Sequence, residues 1–158
     1  MAFDFEDDNY ENIFSEAITI NKYTSQGFEF SSDHKTLLMA PKDIIKFEVP
    51  DFVTTIGPSA FKSCEMLERI VLHDSIRSIA KDAFEYCSAL KTFELPNSIE
   101  CINLSFRNCT SLSSITIPDT VKTIKAFNLR GCKSLKEIRL PKSLETVMLY
   151  LKECTSLS

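Results

Sequence analysis

Six cysteines and two histidines are the side chains of this 158-residue sequence best suited to chemistry, so their spacing is read first. A zinc site wants thiolates in close pairs such as C-x-x-C, and the sequence contains none. Instead Cys64, Cys87, Cys109, Cys132 and Cys154 recur at intervals of 23, 22, 23 and 22 residues. Such regularity marks repeated units, in which a buried thiol acts as a small apolar filler. Disulfides along the column fit poorly, because stacked strands hold equivalent Cβ atoms about 4.8 Å apart, outside the usual disulfide range. Reduced thiols are expected. Cys101 lies off the column, where other units carry Ser78 and Thr123, and is expected to be more exposed. His73-Asp74-Ser75 is no triad, since adjacent strand residues point to opposite faces. His34 stands only beside Asp33. Gly27, Gly57 and Gly131 are isolated and form no phosphate cradle, and the run from Asp4 to Asp8 lacks the register of a calcium loop. No catalytic residue, metal ligand or cofactor site is expected; the chain reads as a binding protein and not as an enzyme.

The elements that position these residues follow from what travels with each cysteine. Three residues later comes Leu67, Leu90, Leu112, Leu135 or Leu157, and six later Ile70, Phe93, Ile115 or Ile138. Two further on stand Leu72, Leu95, Ile117 and Leu140, followed by Pro96, Pro118 and Pro141, with His73 in the first unit. Two more apolar columns are Ile76, Ile99, Val121 and Leu144, then Ile79, Ile102, Ile124 and Val147. Phe61, Phe84, Phe106, Leu129 and Leu151 lie three residues before the cysteines. The frame extends upstream through Ile44, Phe47, Val49, Pro50, Val53 and Ile56, with Pro41 at the cysteine position.

Within each unit the Ile-x-Leu triplet alternates like a strand with one buried face, and the proline after it ends the ladder. The stretch from Ile76 to Ile79 and its copies is too short for a normal helix and predicts a turn or short extended segment. A coil this short cannot bury its own apolar side, whereas stacked coils bury each other's.

Ala60-Phe61-Lys62-Ser63-Cys64 and Ala83-Phe84-Glu85-Tyr86-Cys87, each followed by Leu-x-x-Ile/Phe-x-Leu, resemble the leucine-rich repeats of the BspA-like family. The resemblance implies a right-handed leucine-rich-repeat solenoid, a β-rich horseshoe of the α/β class with a parallel sheet on its concave side and short irregular convex segments. It also implies a protein-binding role, often as a surface adhesin. On this reading residues 44–158 form about five coils, the last incomplete, and residues 1–43 form an N-terminal cap. The cap combines a short helix with a hairpin or first irregular coil. Tyr10, Ile13, Phe14, Ala17 and Ile18 follow helical spacing behind an Asp8/Glu11 capping box, and Phe28 to Phe30 with Thr36 to Met39 read as the hairpin.

Charge narrows the partners. Residues 1–26 carry six acids against one base, and the remainder is near neutral at sixteen acids against seventeen bases. Neither part offers the clustered positive potential that nucleic acid or anionic lipid requires. The N-terminus has no basic start or apolar run of signal-peptide length, so a cytoplasmic location is expected, with the cell surface as the alternative.

What remains is surface. If Ile70 and Leu72 face inward, Arg69, Val71 and His73 line the concave sheet, together with Lys46, Glu48, Thr92, Glu94, Ser114, Thr116, Glu137 and Arg139. A protein partner on that face is the first expectation. A regulatory role toward a protein phosphatase is an alternative, since Lys42-Asp43-Ile44-Ile45-Lys46-Phe47 resembles a basic-Val/Ile-x-Phe docking motif. Past Cys154 no further coil covers Ile138, Leu140, Leu144, Val147 or Leu151, so the expectation is either self-association through that edge or that this chain is a piece of a longer array.

Overall fold

The computed structural model describes residues 8–158. Helix α1 (Asp8–Thr24) leads into an antiparallel hairpin of β1 (Glu29–Phe30) and β2 (Thr36–Met39), in which Phe30 faces Leu37. Asp33 closes that hairpin by accepting from the Ser31 hydroxyl at 2.6 Å and the Lys35 N–H at 3.1 Å, which holds its carboxyl below the ordinary range. The described residues of the face expected of the helix are not buried. Ile13, Ala17 and Ile18 are exposed, while Ile20 is buried and Tyr23 packs edge-on against Phe28, Phe30 and Phe47. Among the described side chains of α1, Ile20 is buried and Tyr23 meets the rings of the hairpin and first coil, rather than the stripe that periodicity favoured. The acidic run from Asp4 and the side chains of Asp8, Tyr10, Glu11 and Phe14 lie outside the described residues and side chains.

Beyond the hairpin the chain winds in coils that contribute to two ribbons of parallel strands. The first ribbon holds β3 (Lys46–Glu48), β5 (Arg69–Val71), β7 (Thr92–Glu94) and β9 (Ser114–Thr116). β3 pairs with β5 and β7 with β9, in register. The second holds β4 (Thr55–Ile56), β6 (Ser78–Ile79), β8 (Cys101–Ser105), β10 (Thr123–Asn128) and β11 (Thr146–Tyr150). Here β2, β4 and β6 form one parallel run and β8, β10 and β11 another. Ile70, Phe93, Ile115 and Ile138 recur in equivalent places of successive coils, as the repeat requires.

The second ribbon departs from expectation in its later coils. β4 and β6 are the short extended pieces foreseen, with two residues each, but β8, β10 and β11 have five, six and five. Local sequence accounts for the change. Gly57-Pro58-Ser59-Ala60 and Ala80-Lys81-Asp82-Ala83 turn the chain, whereas Ile102-Asn103-Leu104-Ser105 alternates and Val147-Met148-Leu149-Tyr150 is free of turn residues, and both run on as strands. The extra residue of the interval from Cys109 to Cys132 also finds its place here. Ile124 faces Ile102 and Ala126 faces Asn103, so Lys125 is one residue too many and bulges from the ladder.

Between the ribbons runs the core, with a phenyl spine along the solenoid axis. Phe28 stacks on Phe47 at 4.3 Å, Phe61 on Phe84 at 5.2 Å and Phe84 on Phe106 at 5.8 Å, while Phe93 meets Phe106 edge-on at 4.6 Å. These rings are buried, and their contact from coil to coil is what no single unit could supply.

Candidate interaction surface

Each strand of the first ribbon places its middle residue in the core and its outer two in solvent. The expected surface residues therefore share one face. Lys46 stands beside Arg69 and Glu48 beside Val71; Thr92 stands beside Ser114 and Glu94 beside Thr116. Glu137 and Arg139 are exposed in the next coil, outside any ladder, and pair with one another at 2.9 Å. One edge of the face thus begins basic and ends acidic, and the other begins acidic and ends basic. His73 does not belong to it. Its ring is half-buried at the end of the strand, with Nε2 3.1 Å from the Pro50 carbonyl and Nδ1 accepting from the Ser75 N–H. It occupies a proline position and ties its coil to the one before, a structural role that alternation alone did not reveal.

The cysteine column is more than apolar filling. Cys87 donates its thiol proton to the Phe61 carbonyl at 3.1 Å, Cys109 to Phe84 at 3.1 Å, Cys132 to Phe106 at 3.2 Å and Cys154 to Leu129 at 3.1 Å. Each thiol adds a hydrogen bond to a carbonyl of the preceding coil, which Ala or Val could not do. Burial pushes Cys64 up to about 11 and Cys132 up to about 12, so these thiols stay protonated and unreactive. Cys101 is exposed, as its place off the column implied.

The residue before each cysteine adopts a left-handed conformation that the sequence reading missed. Ser63, Tyr86, Asn108, Gly131 and Glu153 have φ of 58°, 63°, 59°, 79° and 66°. The turn aims the N–H of Ser63, Tyr86, Asn108 and Gly131 at carbonyls of the following coil, at 2.8 to 2.9 Å. Asn108 and Gly131 were the available signal, being two residue types that favour this region.

At the C-terminal edge Ile138, Leu144 and Leu151 are half-buried, while Leu140 and Val147 are exposed. The Lys42 to Phe47 segment offers no free phenyl ring for a phosphatase to grip, because Phe47 is buried against Phe28. Among the described residues no cluster of three or more His, Cys, Asp or Glu is placed to hold a metal ion, and no helix is long and apolar enough to cross a membrane.

Comparison with known proteins bears on these stacked coils directly. The description of a BspA type leucine rich repeat region matches residues 38–158 in six copies. The chain belongs to this family. Among solved structures, the chain is 32% identical to a leucine rich cell surface protein of Faecalibacterium prausnitzii A2-165, with a TM-score of 0.73 over 83% of this chain and 36% of that one. It is 25% identical to a leucine-rich repeat protein of Bacteroides ovatus ATCC 8483, with a TM-score of 0.57 over 82% of this chain and 44% of that one. The T. pallidum leucine rich repeat protein shares the fold at 24% identity and a TM-score of 0.67, over 83% of this chain and 65% of that one. The BspA-type chain therefore spans about a third to two thirds of the length of these neighbours. No curated protein matches it.

Proposed function

We propose that this BspA-type chain is a non-catalytic protein-binding module that docks an extended polypeptide across the first-ribbon face. The observation that carries the reading is the regular exposure of Lys46, Glu48, Arg69, Val71, Thr92, Glu94, Ser114 and Thr116 around buried strand centres. This arrangement repeats side chains at the strand spacing of about 4.8 Å, a scale on which an extended partner can be read coil by coil. Among the described residues neither histidine is joined to a nucleophilic side chain, which favours binding over catalysis.

The test compares partners captured by the wild type and by Arg69→Glu/Arg139→Glu, both at exposed positions. A discrete set of partners held by the wild type and lost from the variant is expected. Equal capture by both proteins would remove this face from consideration.

An adhesion role is the second reading, favoured by the F. prausnitzii neighbour's description as a cell surface protein. Antibody labelling of intact against permeabilised cells separates the two: staining of intact cells supports adhesion, and staining only after permeabilisation supports an interior partner.

A further inference from the structure

The outer face of the second ribbon carries two hollows that meet at Lys81, with volumes of about 370 and 430 Å³. They exist because the chain changes form between coils. The chain turns at Ala80 to Ala83 and then runs on as β8 and β10 in the next two coils, and the Ser105 N–H donates to the Lys81 carbonyl at 2.8 Å. The charged residues lining the hollows are Arg77, Lys81, Arg130 and Lys152, all basic, in a chain of net charge −4. The nearby acids are largely turned elsewhere. Asp82 accepts from Ser59 and Glu85 from Ser105, and both face Lys62. Glu153 meets Arg130 at 3.4 Å in solvent, and Lys81 and Lys152 pair with no acid among the described residues. Asn128 accepts the Arg130 N–H with its carbonyl oxygen, which leaves its amide nitrogen to donate into the second hollow.

We propose that this groove docks an extended acidic segment of a partner protein. Every charged group on its wall is a cation, so it suits carboxylates. Lys81 and Lys152 lie three coils apart, roughly 14 Å at the strand spacing, which an extended peptide crosses in about four to five residues. Alternate side chains of such a peptide point the same way, so acids at every second position meet Lys81, Arg130 and Lys152 in turn. This groove lies on a different ribbon from the face that carries Arg69 and Arg139, and its occupancy is independent of that one.

Fluorescence anisotropy with a fluorescein-labelled peptide of alternating glutamate and serine tests the proposal at low salt. Saturable binding to the full chain is expected, weakened at least tenfold by Lys81→Glu/Lys152→Glu and unchanged by Arg69→Glu/Arg139→Glu. Both altered pairs are exposed, and circular dichroism confirms that each variant keeps its fold. The proposal is overturned by absence of saturable binding, by equal binding to the Lys81→Glu/Lys152→Glu protein, or by a heparin hexasaccharide binding more tightly than the peptide.

Discussion

At the residue scale the left-handed position before each cysteine gives the sharpest test, because equivalent coils fill it with different residues. A non-glycine residue there costs roughly 1–2 kcal/mol, and the added freedom of a glycine in the unfolded chain costs about 0.4–1 kcal/mol. Ser63→Gly should therefore raise stability by about 0.5–1 kcal/mol. Gly131→Ala should lower it by about 1–2 kcal/mol, since φ is +79° and the new Cβ would stand 2.2 Å from the Asn108 amide oxygen. Urea melts of the two variants decide the matter, and shifts of the same sign would refute the account. The thiol column makes a separate prediction. Cys64 and Cys132 release protons in the folded chain only near 11 and 12, against an ordinary value of 9.0, so the unfolded chain ionises first. Their contribution is fully present below about pH 9 and is lost as pH rises toward those folded values. The melting temperature should fall between pH 8 and pH 10.5, and fall less steeply in Cys64→Ala/Cys132→Ala; identical slopes would show that the thiols are not responsible.

At the element scale the bulge at Lys125 links the uneven repeat length to strand register. Deleting Lys125 shortens its coil from 23 to 22 residues and should let Ala126 follow Ile124 in regular alternation opposite Asn103. A folded protein with a cooperative melt is expected. Deleting Ile102 from β8 reverses which side chains enter the core, placing Asn103 where Ile102 packs, and should abolish the melt. Circular dichroism distinguishes the two; loss of fold in the Lys125 deletion would mean that the bulge is needed. This contrast also shows what the sequence made legible. Spacing located the apolar columns, the strand triplets and the exposed face, because burial imposes a period on residue type. It did not show that β8, β10 and β11 run long, since turn and strand differ there in a few residues such as Pro58 and Asp82 against Leu104 and Leu149. Nor could alternation show that His73 bonds to Pro50, or that Lys81, Arg130 and Lys152 gather on one groove, because those depend on contacts between coils.

At the scale of the whole molecule, stability is a sum over neighbouring coils, so local opening should vary along the axis. Central coils are tied on both sides. Phe106 donates its N–H to Asn128 and Asn108 to Arg130, and Leu129 and Gly131 donate in the same way to Tyr150 and Lys152 of the next coil. The corresponding amides of Leu151 and Glu153 have no such acceptor among the described residues, and Leu129 and Leu151 stand at the positions that Phe61, Phe84 and Phe106 hold in earlier coils. Native-state hydrogen exchange should therefore grade along the chain, with Phe106, Asn108, Leu129 and Gly131 protected to near the global unfolding limit and Leu151 and Glu153 exchanging orders of magnitude faster. In the 158-residue chain the gradient follows from nearest-neighbour cooperation, because opening the coil that ends at Cys154 breaks one of these interfaces whereas opening a central coil breaks two. Uniform protection from Phe106 to Glu153 would instead mean that the solenoid opens as a single unit.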